Sequence, residues 1–269
     1  MASAHAGTSD LPLRSVSSES PQESDSESPF RSRPPLSDAD ALELLATAHI
    51  DVLGRMPYSS NATFLADLLI EGKPVAQGIY KPEAGEQPLW DFPGSLYRRE
   101  VGAYVLSDQL GWGHVPPTIV TEGPAGIGSL QLFVPAVFEE HYFTLLDDEQ
   151  YHRAFKEICA FDFVANNTDR KGGHILLGEH GELWAIDNGL SFHHEFKLRT
   201  VIWDFAGDDL SLEVRDGLTA LLDDGLSDGL AELLNPLERD GVLTRARSLL
   251  HAGVYPSDPT GRRYPWPMV

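Results

Sequence analysis

The sequence predicts an α+β fold of two lobes, in which a β-rich first lobe precedes a helical second lobe. In the first half of the chain, short runs of β-forming residues alternate with segments that carry Ser, Asn, Gly and Pro, as hairpins require. After Pro135, apolar residues recur every three or four positions, which is the period of a helix. The 269 residues, of which 42% are hydrophobic, suffice for a sizeable core. We therefore assign residues 38–135 to the first lobe and residues 136–269 to the second.

A serine-rich tail, residues 1–37, precedes the two lobes. It contains eleven serines, with Pro, Glu and Asp between them and few large apolar groups. Such a segment cannot bury enough surface to offset the entropy that ordering costs, so we predict that it is disordered. Two interpretations of the tail stay open: a phosphorylated regulatory segment, and a solvated extension without a specific function.

The first lobe is predicted to contain two helices and five strands. The first helix begins near Ser37, where a helix-capping pattern precedes an apolar run. The second helix covers residues 95–110, where Tyr97, Val101 and Tyr104 share one stripe. The strands are predicted at residues 50–56, 63–70, 75–80, 117–121 and 129–134.

The second lobe is predicted to open with a helix over residues 148–165, whose apolar residues lie three or four positions apart. Two short strands, 175–177 and 183–186, then flank a hairpin turn. Residues 210–250 are Leu-rich with helical spacing, and residues 254–269 carry Pro and Arg and are predicted to be coil.

Charge and cysteine usage restrict the partners and the compartment. The net charge of −21 at pH 7 argues against nucleic acid or an anionic bilayer as a non-specific partner, since both need a basic surface. The single cysteine, Cys159, excludes an internal disulfide and fits a reducing cytoplasm, and its apolar neighbours indicate a buried thiol. The sequence has no run of about 18 apolar residues and no signal-peptide pattern at its N-terminus. We therefore expect a cytoplasmic protein without stable membrane insertion.

Two acidic residues, Asp169 and Asp187, each lie at the border of a loop and a predicted strand. The hairpin between them would bring their carboxylates close together. Phosphoryl transfer needs one carboxylate to orient the attacking hydroxyl and a second to hold Mg²⁺ on the ATP phosphates. Arg170, beside the first carboxylate, can steady charge on the phosphoryl group or on the loop, and a surface salt bridge is its alternative role. The pair of loops at this spacing favours a phosphotransferase site.

Lys81 is predicted to lie at the end of a strand, directly before Pro82. Most such lysines are only solvated, but here a predicted helix that bears Glu100 follows. A buried Lys–Glu pair positions the α- and β-phosphates of ATP in kinases. Residues 58–64, between two strands ahead of Lys81, include small residues that would let backbone N–H groups approach phosphate oxygens, and hydroxyls that can add donors. An ordinary hairpin turn is the alternative for that segment.

Taken in order, these segments resemble the type II phosphatidylinositol 4-kinases, within the wider phosphatidylinositol 3-/4-kinase-like and protein-kinase-like fold. The resemblance covers about residues 50–195 and is carried by the order of its motifs, and the compact second lobe suits a bacterial member. The motifs read Ser59-Ser60-Asn61-Ala62-Thr63-Phe64, Tyr80-Lys81-Pro82, Glu100-Val101-Gly102-Ala103-Tyr104-Val105-Leu106, Leu110-Gly111, Val115-Pro116, Gly128-Ser129-Leu130-Gln131-Leu132-Phe133-Val134, Asn167-Thr168-Asp169-Arg170 and Ala185-Ile186-Asp187-Asn188-Gly189-Leu190.

The resemblance implies a two-lobed kinase-like fold that uses ATP with Mg²⁺ or Mn²⁺. It implies Asp169 as the catalytic aspartate, with Arg170 beside it, and Asp187 as a metal ligand. It also implies that Lys81 binds the ATP phosphates and that Glu100 fixes Lys81. The residues that it implies for nucleotide binding are Ser60, Asn61 and Thr63 in the phosphate loop, Lys81 with Glu100, and the backbone of Gln131, Leu132, Phe133 and Val134 around adenine.

The sequence departs from the family's pattern at His174, five residues after Asp169, where the family has an asparagine that helps to hold a metal. Imidazole suits Mg²⁺ poorly, because magnesium prefers oxygen ligands. Four interpretations stay open: a metal held by Asp187 alone, tolerance of Mn²⁺, weak catalysis, and a structural histidine packed in the loop. We retain His174 with Asp187 as candidate metal ligands.

A second histidine group, His193-His194 with His180 nearby, could suggest a metal cluster. Adjacent histidines on a strand point to opposite faces, so we predict that this pair does not share one ion.

The sequence therefore favours an ATP-dependent phosphotransferase that acts on a hydroxyl of a protein or a small molecule. The first alternative is a nucleotide-binding pseudokinase with a regulatory or scaffold role, for which His174 is the best support. The second alternative is a phosphoinositide 4-kinase-like lipid kinase. The net charge of −21 argues against it, as does the lack of a cysteine-rich palmitoylation segment and of a basic membrane-facing patch.

Overall fold

The computed structural model, which describes residues 36–57, 59 and 61–269, shows two lobes that are joined by residues 133–135. The predicted disorder of residues 1–37 falls, apart from Leu36 and Ser37, outside the described residues. The same holds for the predicted phosphate contact of Ser60.

The first lobe is an antiparallel five-stranded sheet with two helices. Helix α1 spans Asp38–Thr47, and its cap Ser37 accepts a hydrogen bond from the Asp40 N–H at 3.2 Å. Helix α2 spans Leu96–Gln109 and packs against the last two strands. The strands, paired in the order β1-β2-β3-β5-β4, are β1 (His49–Arg55), β2 (Phe64–Ile70), β3 (Lys73–Pro82), β4 (Thr118–Gly123) and β5 (Gly126–Leu132).

The apolar side of this sheet packs under α1. Leu68, Tyr80 and Leu130 are fully buried there against Leu45 of the helix. Full burial of such a side chain contributes about 1.5–3 kcal/mol. Because successive side chains of a strand point to opposite faces, burial of Tyr80 turns Lys81 toward the cleft between the lobes.

The second lobe combines a small sheet with five helices among the described residues. Its central helix α4 places Phe155, Ile158 and Phe161 in the largest core of the molecule. The strands, paired in the order β6-β7-β8, are β6 (Ala136–Val137), β7 (Ile175–Gly178) and β8 (Leu183–Ala185). The helices are α3 (Tyr142–Leu145), α4 (His152–Ala165), α5 (Leu212–Asp224), α6 (Asp228–Leu233) and α7 (Pro236–Ala252).

The end of α4 sets the position of the loop that follows it. Asn166 terminates the helix in the left-handed conformation, with φ at 55°. Its buried side chain donates to the carbonyls of His193 and Glu195 at 2.8 and 2.7 Å, and it accepts from the Lys197 N–H at 2.8 Å. One asparagine thus ties the start of the loop 166–171, called the catalytic loop after the role predicted for Asp169, to the segment that follows β8.

The predicted elements are confirmed, apart from shifts at their ends and one subdivision. The Leu-rich region 210–250 is three helices rather than a continuous helical stretch. The first break comes at Gly225, whose φ of 75° no helix accommodates, and Ser227 then caps α6. The second comes at Asn235, which caps α7 with Pro236 at its first position.

Two expectations about the body of the protein can be compared with the structure. Cys159 is buried, so the prediction of a buried core cysteine is confirmed, and its burial raises the pKa of the thiol. Within the part of the chain that the structure describes, no helix combines the length and the apolar composition that crossing a bilayer requires.

Candidate active site

Lys81 lies at the centre of the cleft, between carboxylates from two different elements. Its Nζ contacts Oε1 of Glu100, which lies on α2. The same Nζ is 2.9 Å from Oδ1 of Asp187, which lies in the loop that follows β8. Burial alone would lower the pKa of Lys81, but attraction to Asp187 and Glu100 outweighs it and raises the pKa above its ordinary value. Lys81 therefore carries a positive charge that is fixed between the lobes.

Glu100 is 4% exposed, and its two oxygens contact different lobes. Oε1 contacts Lys81, while Oε2 accepts a hydrogen bond from the Asn188 N–H at 3.0 Å. Because the second contact comes from the residue after Asp187, Glu100 holds the lysine and the acidic loop in register.

Asp187 adopts the left-handed conformation, with φ at 56°. This conformation is uncommon for residues other than glycine and often marks a functional site. The Asp187 side chain is half-exposed, and the nearby Lys81 ammonium holds the pKa of its carboxyl well below the usual range. The carboxylate is thus ionised and faces the cleft.

Asp169 faces the same cavity from the loop after α4. Its N–H donates to Asn167 Oδ1 at 2.9 Å, and its carboxylate contacts the ammonium of Lys171. Burial raises the pKa of Asp169, while Lys171 acts in the opposite direction. A raised pKa makes this carboxylate a better proton acceptor.

Arg170 lies beneath the catalytic loop rather than in the cleft. Its side chain is fully buried and forms an ion pair with Asp162 of α4, at 3.0 Å between Nη2 and Oδ1. It also donates to the Ile186 carbonyl at 2.6 Å and to Asn188 Oδ1. The prediction that Arg170 could steady charge on a phosphoryl group is therefore wrong, and so is the alternative of a surface salt bridge, because its ion pair is fully buried. Its guanidinium instead connects α4, the catalytic loop and the Asp187 loop.

His174 lies beside Asp187, with 3.6 Å between Nε2 and Oδ2. Burial lowers the pKa of His174 to about 4, so the imidazole is neutral near pH 7. The backbone also fixes its position, because the His174 carbonyl accepts from the Ile186 N–H at 2.9 Å. One nitrogen donor and the Asp187 carboxylate therefore face each other at a separation that one cation could bridge.

The cavity around these groups measures about 500 Å³ and reaches the predicted phosphate loop. Asn61 and Thr63 line it together with Lys81, Asp169 and Asp187. Asn61 Oδ1 accepts a hydrogen bond from the Gln87 N–H at 2.9 Å. This contact fixes the end of the loop whose earlier residue, Ser60, is not described.

A second cavity, of about 290 Å³, adjoins the first on the side of the segment that links the lobes. Apolar side chains from both lobes line it, among them Ile79 of β3 and Leu176 of β7. Its outer wall is formed by the predicted adenine-binding residues Gln131, Leu132, Phe133 and Val134.

The backbone of that wall is only partly available to a ligand. The Leu132 N–H donates to the Pro117 carbonyl at 2.9 Å, and the Phe133 N–H donates to the Gln77 carbonyl at 3.0 Å. The Gln131 side chain is buried and donates to Thr118. The prediction that all four residues offer backbone contacts to adenine is therefore wrong for the N–H groups of Leu132 and Phe133. The N–H of Val134 has no hydrogen-bond partner among the described residues, so it is available to a ligand.

The structure also places Lys171, Asn167 and Asn188 at the site. Asn167 and Asn188 stand in the motifs that carry the family resemblance, but the sequence predicted no role for any of the three residues. Lys171 contacts Asp169, and its position two residues later was the one signal that could have indicated it. Asn188 Oδ1 accepts a hydrogen bond from the Arg170 guanidinium, and the Asn188 side-chain amide donates to the Ala185 carbonyl at 3.0 Å. For Asn167 and Asn188 the signal was their place in the two loop motifs, but the hydrogen bonds that they form could not be predicted from it.

His193 and His194 do not lie on a strand, so the expectation that they point to opposite faces is wrong. Their rings stack with centroids 4.6 Å apart, so both histidines lie on one side of the chain. With Glu195 they offer ligand atoms within 4.8 Å of one another. His193 Nδ1 already accepts the Glu195 N–H at 3.0 Å, which leaves Nε2 as its available nitrogen.

Comparison with known proteins identifies the family. Residues 94–232, from the start of α2 to α6, match the model of the phosphatidylinositol 3- and 4-kinases. The chain belongs to this family. Protein Rv2133c of Mycobacterium tuberculosis is 39% identical over 265 residues, covering 85% of this chain and 95% of that protein. The chain thus has a bacterial relative of similar size.

The chain is also similar to solved structures. The structure of hydra Fam20 with sugar is 14% identical, covers 80% of this chain and 87% of that chain, and has a TM-score of 0.53. The crystal structure of the Golgi casein kinase with Mn/ADP bound is 14% identical, covers 86% of this chain and 80% of that chain, and has a TM-score of 0.49. The likeness to the hydra Fam20 structure confirms the predicted two-lobed, kinase-like α+β fold.

Proposed function

We propose that this protein is an ATP-dependent phosphotransferase that moves the γ-phosphate of ATP to a hydroxyl of a protein or a small molecule. One observation carries the proposal. A single cavity holds a cation fixed between two carboxylates, Lys81 with Glu100 and Asp187, and a second carboxylate–lysine pair, Asp169 with Lys171. Such a set can bind phosphates and accept a proton from the attacking group.

The two adjoining cavities divide the nucleotide between them. The apolar cavity beside residues 131–134 suits adenine, with the Val134 N–H as a donor and Ile79 above the ring. The polar cavity suits the phosphates, whose oxygens would take the place of Asp187 on the exposed side of Lys81. Glu100 keeps Lys81 in position because its own second oxygen is held by Asn188.

Asp187 and His174 fit a divalent cation in their donor chemistry. A carboxylate oxygen and a neutral imidazole nitrogen face each other across 3.6 Å. Mixed nitrogen and oxygen donors suit Mn²⁺ better than Mg²⁺, which prefers oxygen alone. A cation bound there would neutralise charge on the phosphates. Its binding by Asp187 would also free Lys81 for the nucleotide.

Transfer itself uses the catalytic loop. Asp169 accepts the proton of the acceptor hydroxyl as the hydroxyl oxygen forms its bond to the γ-phosphorus. The bond between the γ-phosphorus and the β–γ bridging oxygen breaks, and ADP leaves with that electron pair. Lys171 contacts Asp169, so its positive charge would lie near the equatorial oxygens of the phosphoryl group during transfer.

Incubation with radiolabelled ATP and Mg²⁺ or Mn²⁺, followed by counting label on protein, lipid and water, tests the activity. We expect the parent chain to transfer label. Asp169→Asn should remove this transfer and keep nucleotide binding. Label transfer that survives Asp169→Asn would contradict the catalytic assignment. We also propose a cytoplasmic location, which the single cysteine and the need for ATP support.

A nucleotide-binding pseudokinase is the second candidate, and His174 is the observation that favours it. His174→Asn distinguishes the two, because it restores an oxygen donor beside Asp187. A working kinase should keep or gain Mg²⁺-supported turnover in this variant. A pseudokinase would show no transfer in the parent chain or in the variant. Lipid phosphorylation would instead favour a phosphoinositide kinase, which the net charge of −21 opposes.

A further inference from the structure

The segment 264–269, called here the strap, returns to the catalytic loop from the far end of the second lobe. Just before it, the Arg263 carbonyl accepts the Thr200 N–H at 3.1 Å, and the Arg263 guanidinium lies 4.7 Å from the centre of the Phe196 ring. Within it, the Met268 carbonyl accepts the Gly172 N–H at 2.7 Å. The strap is therefore attached to the body at two places.

Both attachments are made to residues that lie next to, or pair with, the segment around Asp169. Thr200 forms a parallel bridge with Arg170, the residue after Asp169, and its hydroxyl donates to the buried Asp162 at 3.1 Å. Gly172 follows Lys171 directly. The two attachments thus flank the residues proposed to act on the acceptor.

Gly172 allows this close approach because it has no side chain. A Cβ at this position would lie 2.8 Å from the Phe143 ring and 3.4 Å from the Met268 carbonyl oxygen. The first distance is shorter than real Cβ atoms show, so a larger residue would force the ring or the strap to move.

The strap forms one wall of the polar cavity. Pro267 and Val269 line it together with Asp169, Lys171 and His174. Sites for drug-sized ligands measure about 300–1,000 Å³. The cavity measures about 500 Å³, and the nucleotide phosphates would share it, so only a small acceptor group fits beside them while the strap is in place.

The attachment of residues 266–269 is weak enough to open. Trp266 is 87% exposed and Val269 is 59% exposed. Within the described part of the chain, one hydrogen bond, from Gly172 to Met268, holds these four residues. Segments with little buried surface and few hydrogen bonds open at low cost in free energy.

We propose that the strap closes the acceptor side of the cleft, so that small hydroxyl compounds reach Asp169 while it is in place and larger acceptors reach it only after displacing it. The inference rests on the proposed function, since it describes the acceptor side of the same site. It assigns to Pro267 and Val269 a part in selecting the acceptor by size.

Access to the cavity can be measured without any activity. Diethylpyrocarbonate modifies neutral imidazole, and peptide mass spectrometry gives the rate at His174 separately from the other histidines. A chain that ends after Pro265 loses only exposed residues and one hydrogen bond, so it should fold. We expect His174 to react about fivefold faster in this shortened chain, because one net hydrogen bond changes the ratio of closed to open strap by about that factor. An unchanged rate would overturn the proposal.

Two single substitutions form a matched pair on the intact strap. Val269→Gly removes a side chain from the cavity wall and should also increase the rate of His174 modification. Trp266→Ala removes a larger side chain that lies outside the cavity lining, and it should leave the rate at the parent value. Equal effects of the two substitutions would contradict a wall formed by Val269.

Acceptor selection is tested with radiolabelled ATP and two probes, glycerol and a flexible peptide that carries Ser, Thr and Tyr. The shortened chain should raise the ratio of peptide to glycerol labelling about fivefold. An unchanged ratio would overturn selection by the strap and leave the proposed function intact. If neither chain labels glycerol, the peptide or water, the proposed function would instead be overturned. The His174 rates would still decide whether the strap covers the cavity.

Discussion

Two cation–carboxylate pairs lie on opposite sides of the catalytic loop, and their surroundings differ. Beneath the loop, Arg170 and Asp162 are both fully buried. Above it, Lys81 and Asp187 have side chains that are 21% and 53% exposed. A buried pair cannot exchange a partner without leaving an unpaired charge away from water, whereas a partly exposed pair is screened and can. The buried pair therefore holds the loop in position, and the exposed pair can exchange its partners.

The comparison also explains why one loop can be both rigid and reactive. Arg170 connects three elements from below, while the neighbouring residues Asp169 and Lys171 face the cavity from above. Alternation of side chains along an extended segment separates the two functions by a single residue. Substitutions on each side should consequently affect different measurements.

The largest expected effect is on transfer, from the upper side. Asp169→Asn removes the proton acceptor and should lower the transfer rate by about 10²–10⁴-fold, with little change in stability. Turnover of labelled ATP and nucleotide affinity are the measurements. Asp216→Asn, an exposed acid on α5, is the control and should match the parent chain. A comparable loss of nucleotide binding in Asp169→Asn would place this residue in binding rather than in transfer.

The next effect is on stability, from the lower side. Arg170→Met leaves Asp162 buried without its partner and should cost about 3–5 kcal/mol in the free energy of unfolding, as measured by urea denaturation. Arg153→Ala breaks a pair with Glu157 on α4 in which the arginine is 69% exposed, and it should cost less than about 1 kcal/mol. Equal costs would show that burial does not distinguish the two kinds of pair.

A third effect is a pH dependence of stability that originates beside the upper pair. The pKa of His174 is about 4 in the folded protein and 6.5 as a free residue, so the unfolded chain binds more protons between these values. The free energy of unfolding of the metal-free protein should therefore fall, by at most about 3 kcal/mol, as the pH is lowered from 6.5 to 4. His174→Asn should flatten this part of the profile. His180→Asn, at an exposed turn, should leave it unchanged.

The smallest effect concerns the upper cation itself. Lys81→Ala should reduce the rise in melting temperature that ATP with a divalent metal produces, since a charged hydrogen bond contributes about 1.5–3 kcal/mol. Lys73→Ala, at the exposed start of the same strand, is the matched control. An undiminished rise in Lys81→Ala would place the nucleotide elsewhere and remove the basis for assigning the cleft.

Local patterns in the sequence determined the succession of elements and four residues of the site. Strand alternation and helical spacing act over a few residues, so the hairpin between Asp169 and Asp187 could be predicted before any packing was known. The same holds for Lys81 at the end of β3 and Glu100 on α2. The roles proposed for these residues in transfer and nucleotide binding are tested by Asp169→Asn and Lys81→Ala.

Only the tertiary structure decided which polar groups are free and which are used within the fold. Arg170 and Asp169 are neighbours in the sequence, yet α4 covers one and not the other. The Leu132 and Phe133 N–H groups are occupied by carbonyls from distant segments, and the strap reaches Gly172 from almost a hundred positions away. Burial and hydrogen-bond partners depend on elements that pack together from distant parts of the chain, and no local pattern encodes them.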